Sequence, residues 1–568
     1  MLSYLEAIPC DVLEYIALLT TIDSYMSSAA LRNILALLLT SSTLYHSLCL
    51  RNCPHLYADI FRSAFDVRAT LRRFKFQITD SALAGELVLR CRMLRRVKSK
   101  SIFRDELRQD LWTVFLMTQE SDGINEQHLR SAGLAEFLLD VVKSCEKTDP
   151  YEIQALIIWL LCFTLTQHHV LSLPSDLKVH LQSLLFPHSL GLGRSEPVSN
   201  RSAIQSTRFP SYVRQDDTIY PEARRRPNIV YHKYTGDHRC EDGTKPINSY
   251  GWEWVPSCPD LTPAAVSLIF CFTETTPIAI PDHLPENRSI AIATQRFGPT
   301  KEDIRKIRGY KTKLFADTAP RFDDRVDFLA EDTSRSLMHD VEFQQVTLAD
   351  ERVTDVHAPC AMYGLMTGTW EGFYMMTGMV APNAGPESQR NPVSEFVCRK
   401  PLQCALAEFV CFDKYDNNDS RTASTNVTGI KNIPRLSLET ATGFELDGHK
   451  YERLTARPDS NQETRSGTGM IGPAEILLLG ETLEDHEEAW GAFRFAGCVR
   501  RDGSILLKRE PKETGGDEHS GGWIFEGRLC FGTVFVGVWY LSASWVGSSS
   551  GIRGIFSMQK RASGSISW

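Results

Sequence analysis

The hydrophobic period changes once along this chain, and that change limits it to two architectures in series. Up to about residue 186 apolar residues recur at helical spacing: Leu31, Leu35, Leu38 and Leu39 stand at i, i+4, i+7 and i+8, an amphipathic stripe. From residue 262 onward they fall in short runs divided by Gly-, Pro- and polar-rich loops, the pattern of strands. The stretch between, 187–261, is rich in Gly, Pro, Ser, Arg and Asp and carries no apolar period, so it predicts a largely irregular linker. The expected fold class is α+β: an all-helical N-terminal region, then an antiparallel β-barrel with long loops.

Within the first part, the spacing predicts helices over Asn33 to Thr40, Leu44 to Leu50, Glu106 to Gln119, Glu126 to Lys143 and Tyr151 to His168, and roughly six to nine in all at ordinary helix lengths. Tyr250, Trp252 and Trp254 are expected where folded structure resumes. Predicted strands are Val266 to Phe272, Ser289 to Gln295, Met366 to Met375, Cys404 to Phe412, Ile476 to Leu479, Ala492 to Arg500, Ser504 to Arg509, Trp523 to Cys530, Val534 to Leu541 and Ile552 to Gln559. Asp502-Gly503 is a hairpin turn signal, because glycine accepts positive φ. Segments 380–395, 413–435, 455–468 and 510–521 read as polar loops. Gly480, Gly497, Gly527, Gly537 and Gly554 interrupt or border strands, as the bends of a closing barrel require.

Composition narrows the function classes. A net charge of -8 argues against a nucleic-acid partner, which favours a basic surface. The 15 cysteines include no CxxC pair; no metal site is expected from spacing, and several cysteines in apolar runs read as small buried hydrophobes of a reducing compartment. The N-terminus lacks the charged and apolar regions of a signal peptide, and the most apolar run, Ala155 to Leu165, is too short for a bilayer. A cytoplasmic or nuclear protein with no membrane contact is expected.

Enzyme signatures fail on context. Gly547-Ser548-Ser549-Ser550-Gly551 matches GxSxG, yet stands in a Ser-rich loop rather than between a strand and a helix. No phosphate loop or dinucleotide fingerprint occurs. The acidic run Glu481 to Glu488 holds His486 but not the second histidine of HExxH, and reads as a solvated loop. Arg90 to Lys100 reads as a solvated basic helix face, and Arg224-Arg225-Arg226 as a weak nuclear-import signal. No catalytic residue and no cofactor are expected.

Ile8-Pro9-Cys10-Asp11-Val12-Leu13-Glu14-Tyr15-Ile16 begins with a proline-fixed turn and continues into a helix. The Leu-rich helix from Asn33 follows, then the hydroxyl run Thr40 to Thr43 as an N-cap, another helix, and Asn52-Cys53-Pro54-His55-Leu56-Tyr57. This series resembles an F-box, residues 1–66, followed by a helical continuation over 67–186. It departs from the common pattern in Ile8 before the proline, in a long loop Thr20 to Ala30, and in Tyr57 where a tryptophan is frequent. The runs Leu37 to Asp66, Leu111 to Arg130 and Leu479 to Lys508 resemble F-box proteins abundant in mushroom-forming fungi. The resemblance implies a non-catalytic substrate receptor of a cullin-RING (SCF-type) ubiquitin ligase. Its partners would be a Skp-type adaptor, through it a cullin, and an unknown protein substrate. The implied adaptor contacts are Ile8, Pro9, Leu13, Ile16, Leu38, Leu39, Leu44 and Tyr57, although apolar helical stripes ordinarily form core.

Thr367 to Tyr374 reads as an opening barrel strand, and the 262–568 region resembles lipocalin-like barrels that follow F-boxes in some receptors. Such barrels hold a small ligand or peptide end in the mouth. Trp370, Trp490, Trp523, Trp539 and Arg494 are the expected substrate contacts, since aromatic anchors and arginine dominate recognition; core plugs are the competing role for each tryptophan. Arg335, Lys508 and Arg509 are further cations, expected on solvated strand faces but able to receive a carboxylate or phosphate. A lipid- or small-molecule-binding barrel with structural helices is the alternative function.

Overall fold

A computed structural model describes residues 5–22, 29–74, 78–145, 149–189, 245–274, 277–318, 335–347, 362–376, 398–412, 441–446, 448–454, 475–500, 502–512, 522–541 and 553–561. The polar segments 380–395, 413–435 and 455–468, the Ser-rich loop at Ser549 and the Arg224 to Arg226 run lie outside them, as do residues 513–521.

Twelve helices precede residue 190 among the described residues, more than the expected range. They are α1 Cys10–Ile22, α2 Ala29–Leu38, α3 Ser42–Leu48, α4 Pro54–Ala64, α5 Arg68–Arg73, α6 Asp80–Lys98, α7 Arg104–Gln119, α8 Ile124–Ser131, α9 Leu134–Ser144, α10 Tyr151–Thr164, α11 Gln167–Ser172 and α12 Ser175–Ser189. Part of the excess has a local cause. Gly133 takes φ 76° and splits the run read as one helix from Glu126 to Lys143, a backbone state that β-carbons disfavour. Ser41 caps α3 by accepting from the Leu44 amide at 3.2 Å, as the hydroxyl run predicts. Helix α10 is buried on nearly every side.

Folded structure resumes at the expected aromatics. Strands β1 Ile247–Ser249 and β2 Trp252–Trp254 form a hairpin turning at Tyr250-Gly251. Two predicted strands are helices instead. Val266 to Phe272 lies inside α13, Leu261–Thr273, capped by the Asp260 side chain on the Thr262 amide. Ser289 to Gln295 falls in and just after α14, Arg288–Ala293, capped by Asn287. A short, continuously apolar run has no period that separates a buried strand from a buried helix, and the Asx caps are the signal that decides here. Helices α15 Lys301–Ile307 and α16 Phe315–Thr318, a 3₁₀ turn Arg335–His339 and α17 Asp340–Thr347 follow.

The remaining strands are β3 Gly368–Met376, β4 Cys398–Cys411, β5 Gly443–Leu446, β6 His449–Arg453, β7 Glu475–Glu481, β8 Phe493–Val499, β9 Ser504–Pro511, β10 Trp523–Cys530, β11 Val534–Leu541 and β12 Arg553–Lys560. Neighbours pair antiparallel in the order β3-β12-β11-β10-β9-β8-β7-β4, and β3 pairs with β4, so eight strands close into a barrel. The β5–β6 hairpin, unseen in the sequence, pairs with the end of β4 and covers an outer apolar patch, with Phe444 5.2 Å from Phe409. Gly503 takes φ 77° at the expected turn. Alternation decides the faces: Trp370, Tyr374, Leu478, Phe495, Leu507, Phe525, Phe535, Trp539 and Phe556 fill the interior. Phe373, Met375, Val534, Val536 and Ile555 point outward and join the helical core.

The glycines act by close approach. A Cβ on Gly554 would stand 1.8 Å from the Met375 carbonyl oxygen and 2.6 Å from Trp539 Nε1. Gly554→Ala is therefore expected to destabilise by about 1–3 kcal/mol through forced strand separation. Urea unfolding checks this, and an unchanged midpoint refutes it.

The two halves share one core. The β10–β11 turn carries Phe531 at φ 54°, and its ring inserts among Phe315, Phe163 and Trp159, with centroids 5.4, 5.5 and 6.4 Å away. No helix among the described residues is long and apolar enough to cross a membrane.

Candidate functional site

One end of the barrel is plugged. Inward-facing Glu408 on β4 accepts from the amides of Gly364, Met366 and Thr367 at 2.7, 2.6 and 2.9 Å. This ties the segment before β3 across the opening, with Met362 and Met366 in the interior core. Burial raises the Glu408 pKa, and the three amides oppose the rise.

The other end keeps a pocket of about 170 Å³. Its wall comes from β3 and β4 (Tyr374, Leu402, Gln403), from β8 and β9 (Phe493, Phe495, Arg509), and from Thr482, His486 and Trp490. The last two belong to α18, Glu484–Trp490, a helix where the sequence suggested a solvated acidic loop. Its acidic residues do face outward, while His486 and Ala489 are buried. Burial, with Arg509 nearby, pulls the His486 pKa down to about 4, so the imidazole is neutral at pH 7.

Arg509 is the buried charged group of the pocket wall among the described residues. Only 6% of it is exposed. Its guanidinium carbon lies 4.0 Å from the Trp523 ring centroid, 4.3 Å from Phe493, 5.2 Å from Tyr374 and 5.6 Å from Phe525. Burial lowers its pKa and the Tyr374 hydroxyl raises it; an arginine stays protonated in either case. It is therefore a cation held by aromatic faces, not the solvated strand-face group expected. The signal was present: Ile505, Leu507 and Arg509 alternate on one face.

The expected substrate contacts separate. Trp370 and Trp539 are fully buried and donate Nε1–H to the Met366 and Met375 carbonyls at 2.8 and 3.0 Å, so they fill the interior rather than line a mouth. Trp523 stacks on Trp539 at 5.0 Å and backs Arg509. Trp490 lines the pocket. Arg494 is exposed and alternates outward, away from the pocket. Arg335 pairs with Glu126 and Lys508 with Glu510.

At the N-terminus the expected adaptor contacts also divide. Leu13, Leu44 and Tyr57 are core residues of the helical region, and the Tyr57 hydroxyl donates to the Leu48 carbonyl at 2.9 Å. Ile8, Ile16 and Leu38 are half-buried, whereas Pro9 is exposed and Leu39 is 75% exposed. Sequence reasoning did not nominate the exposed residues of the opposite face as contacts. Val12, Tyr15 and Leu19 on α1, Leu35 on α2, and Tyr45 and Leu50 in and after α3 are exposed apolar side chains. These six and Leu39 make seven of the 18 large apolar side chains exposed among the described residues, so such exposure is concentrated on α1–α3.

Beside that face, Glu14, Cys53 and His55 bring oxygen, sulfur and nitrogen donors within 4.8 Å of one another, a set that suits zinc. Spacing alone gave no sign of it, because Glu14 lies on α1 and Cys53 and His55 at the start of α4. The Glu14–His55 ion pair at 2.7 Å and a Cys53 thiol pushed up to about 12 by burial account for the contact without an ion.

Compared with family models, with curated proteins and with solved structures, the chain matches none.

Proposed function

We propose that this chain is a non-catalytic substrate receptor of a cullin-type ubiquitin ligase, with α1–α3 docking on a Skp-type adaptor and the barrel presenting a target. The observation that carries the reading is the apolar surface of α1–α3. A single-chain surface leaves few large apolar groups clustered in water, and such a cluster marks an interface. Val12, Tyr15 and Leu19 sit at i, i+3 and i+7 on one helix face, and Leu35 and Leu39 at i and i+4, the spacing of anchors that enter a partner's groove. The receptor's work is positional. A target held on the barrel meets the ubiquitin-loaded conjugating enzyme at high effective concentration, and no residue of this chain performs chemistry.

The reading of a lipid carrier loses ground because aromatic side chains fill the barrel interior. Among the described residues, the pocket at the Arg509 end offers space for a ligand.

Affinity purification from cells tests the proposal. Adaptor and cullin are expected with the wild-type chain and at least tenfold less of both with Tyr15→Asp plus Leu39→Asp. Both side chains are exposed, so the fold survives the change, unlike a substitution at buried Leu13. Equal capture by the variant, or no adaptor with the wild type, refutes it.

A further inference from the structure

We propose that the open end of the barrel binds a carboxylate, neutralising Arg509 within its aromatic surround. The inference names what the reader end of the proposed receptor would hold, but it rests on the barrel alone and stands or falls apart from adaptor docking.

Among the described residues Arg509 has no counter-charge: no carboxylate pairs with it, and its Nε is buried with no hydrogen-bond partner. Five described carboxylates around this end pair with other cations. Glu481 and Glu487 pair with Lys512, Asp485 with Lys306, Glu488 with Arg288 and Glu510 with Lys508. A desolvated guanidinium is unfavourable unless paired, and aromatic faces offset only part of that. The side chain forms part of the pocket wall, so an anion that enters the pocket meets the guanidinium. A carboxylate is the acceptor that a guanidinium can take through two parallel N–H bonds.

Charge and size select within the anions. Arg509 is the buried cation of the wall, Lys400 stands exposed at its rim, and His486 is neutral. One buried positive charge suits a monoanion better than a phosphate dianion, which would also face the nearby acidic helix α18. The pocket is smaller than those that enclose a whole drug-sized ligand; it fits one end group and the first atoms behind it. Trp490, Phe493, Phe495 and Leu402 give those atoms an apolar wall.

The source of the carboxylate is either a peptide chain end or a free small acid. Calorimetric titration of the full chain with N-acetylphenylalanine, its primary amide, phenylacetate and inorganic phosphate separates these. At least one of the two acids is expected to bind saturably, at least tenfold tighter than the amide and tighter than phosphate. A tighter N-acetylphenylalanine assigns a peptide end, and a tighter phenylacetate a free acid. Arg509→Met is expected to lose the acid tenfold or more while its far-ultraviolet dichroism stays that of the wild type. Acid and amide binding alike, phosphate binding tightest, no binding at all, or a folded Arg509→Met that keeps the acid would each overturn the proposal. The acid–amide comparison needs no variant, so it decides the matter even if Arg509→Met fails to fold. Adaptor capture with no acid binding would leave the receptor reading intact, and the converse would leave the carboxylate site intact.

Discussion

Arg90→Met is expected to lower the unfolding free energy by about 3–5 kcal/mol. Arg90 is wholly buried, as are Glu86, Glu120 and Tyr250. Its Nε donates to Glu86 at 3.0 Å, and its Nη2 to Glu120 at 2.5 Å and to the Tyr250 hydroxyl at 2.6 Å. Tyr250 closes the arrangement, donating its amide to Glu86 at 2.9 Å and its hydroxyl to Glu120 at 2.8 Å. Without the guanidinium, two carboxyl groups remain buried with no cation, and each must hold a proton or draw in water. Methionine keeps much of the volume, so the loss reports charge rather than a cavity. Urea unfolding monitored by dichroism measures it, and a loss under about 1 kcal/mol would mean that the carboxyls were not ionised. Replacing Glu86 and Glu120 by leucine in the same variant is expected to restore much of the loss, as buried ion networks often permit.

Glu342→Gln is expected to change how stability depends on pH. Burial pushes the Glu342 carboxyl up to about 7 from its ordinary 4.5, so the folded chain holds this proton more tightly than the unfolded one. The stabilisation it gives is complete below the unfolded value and is lost as pH rises through the folded one. Glutamine keeps the Oε1 that accepts from the Phe531 amide at 2.6 Å and has no proton to lose. Between pH 5 and pH 8 the wild type should therefore fall relative to the variant by about 3 kcal/mol. The buried histidines His339 and His486, pulled down to about 3 and about 4, act in the opposite direction. They are the same in both proteins and cancel in the comparison. Parallel stability profiles for the two chains would refute the shift.

Legibility followed the range of the interactions. The bounds of β10 and β11 match the short apolar runs set between polar and Gly-rich breaks, since such breaks are local signals. The α3 cap was readable because Ser41 bonds an amide three residues away. Val266 to Phe272 was misread because a run buried on every side has no period. The network around Arg90 was invisible: Glu86 and Tyr250 meet across 164 residues, and the basic run there looked solvated. Arg509 was legible by parity, yet its charge outweighed its position in the reading, whereas the fold placed it by position. At the N-terminus the nominated residues divide, Leu13, Leu44 and Tyr57 lying in the core and Pro9 and Leu39 at the surface, and only burial separates the exposed face of Val12, Tyr15 and Leu19 from the buried one.

Tyr250 lies within the stretch that the sequence reads as a linker, 187–261, yet it completes the core of the helices that precede that stretch. The polar stretch is thus not the seam at which this protein divides. A gene rearrangement that cut there would strip the helices of Tyr250, Trp254 and α13 and leave the Arg90 charge network open. The natural unit of exchange runs from α1 through α17, and a new barrel grafted after it would also have to bring an outer face that accepts the helices, with a counterpart to Phe531.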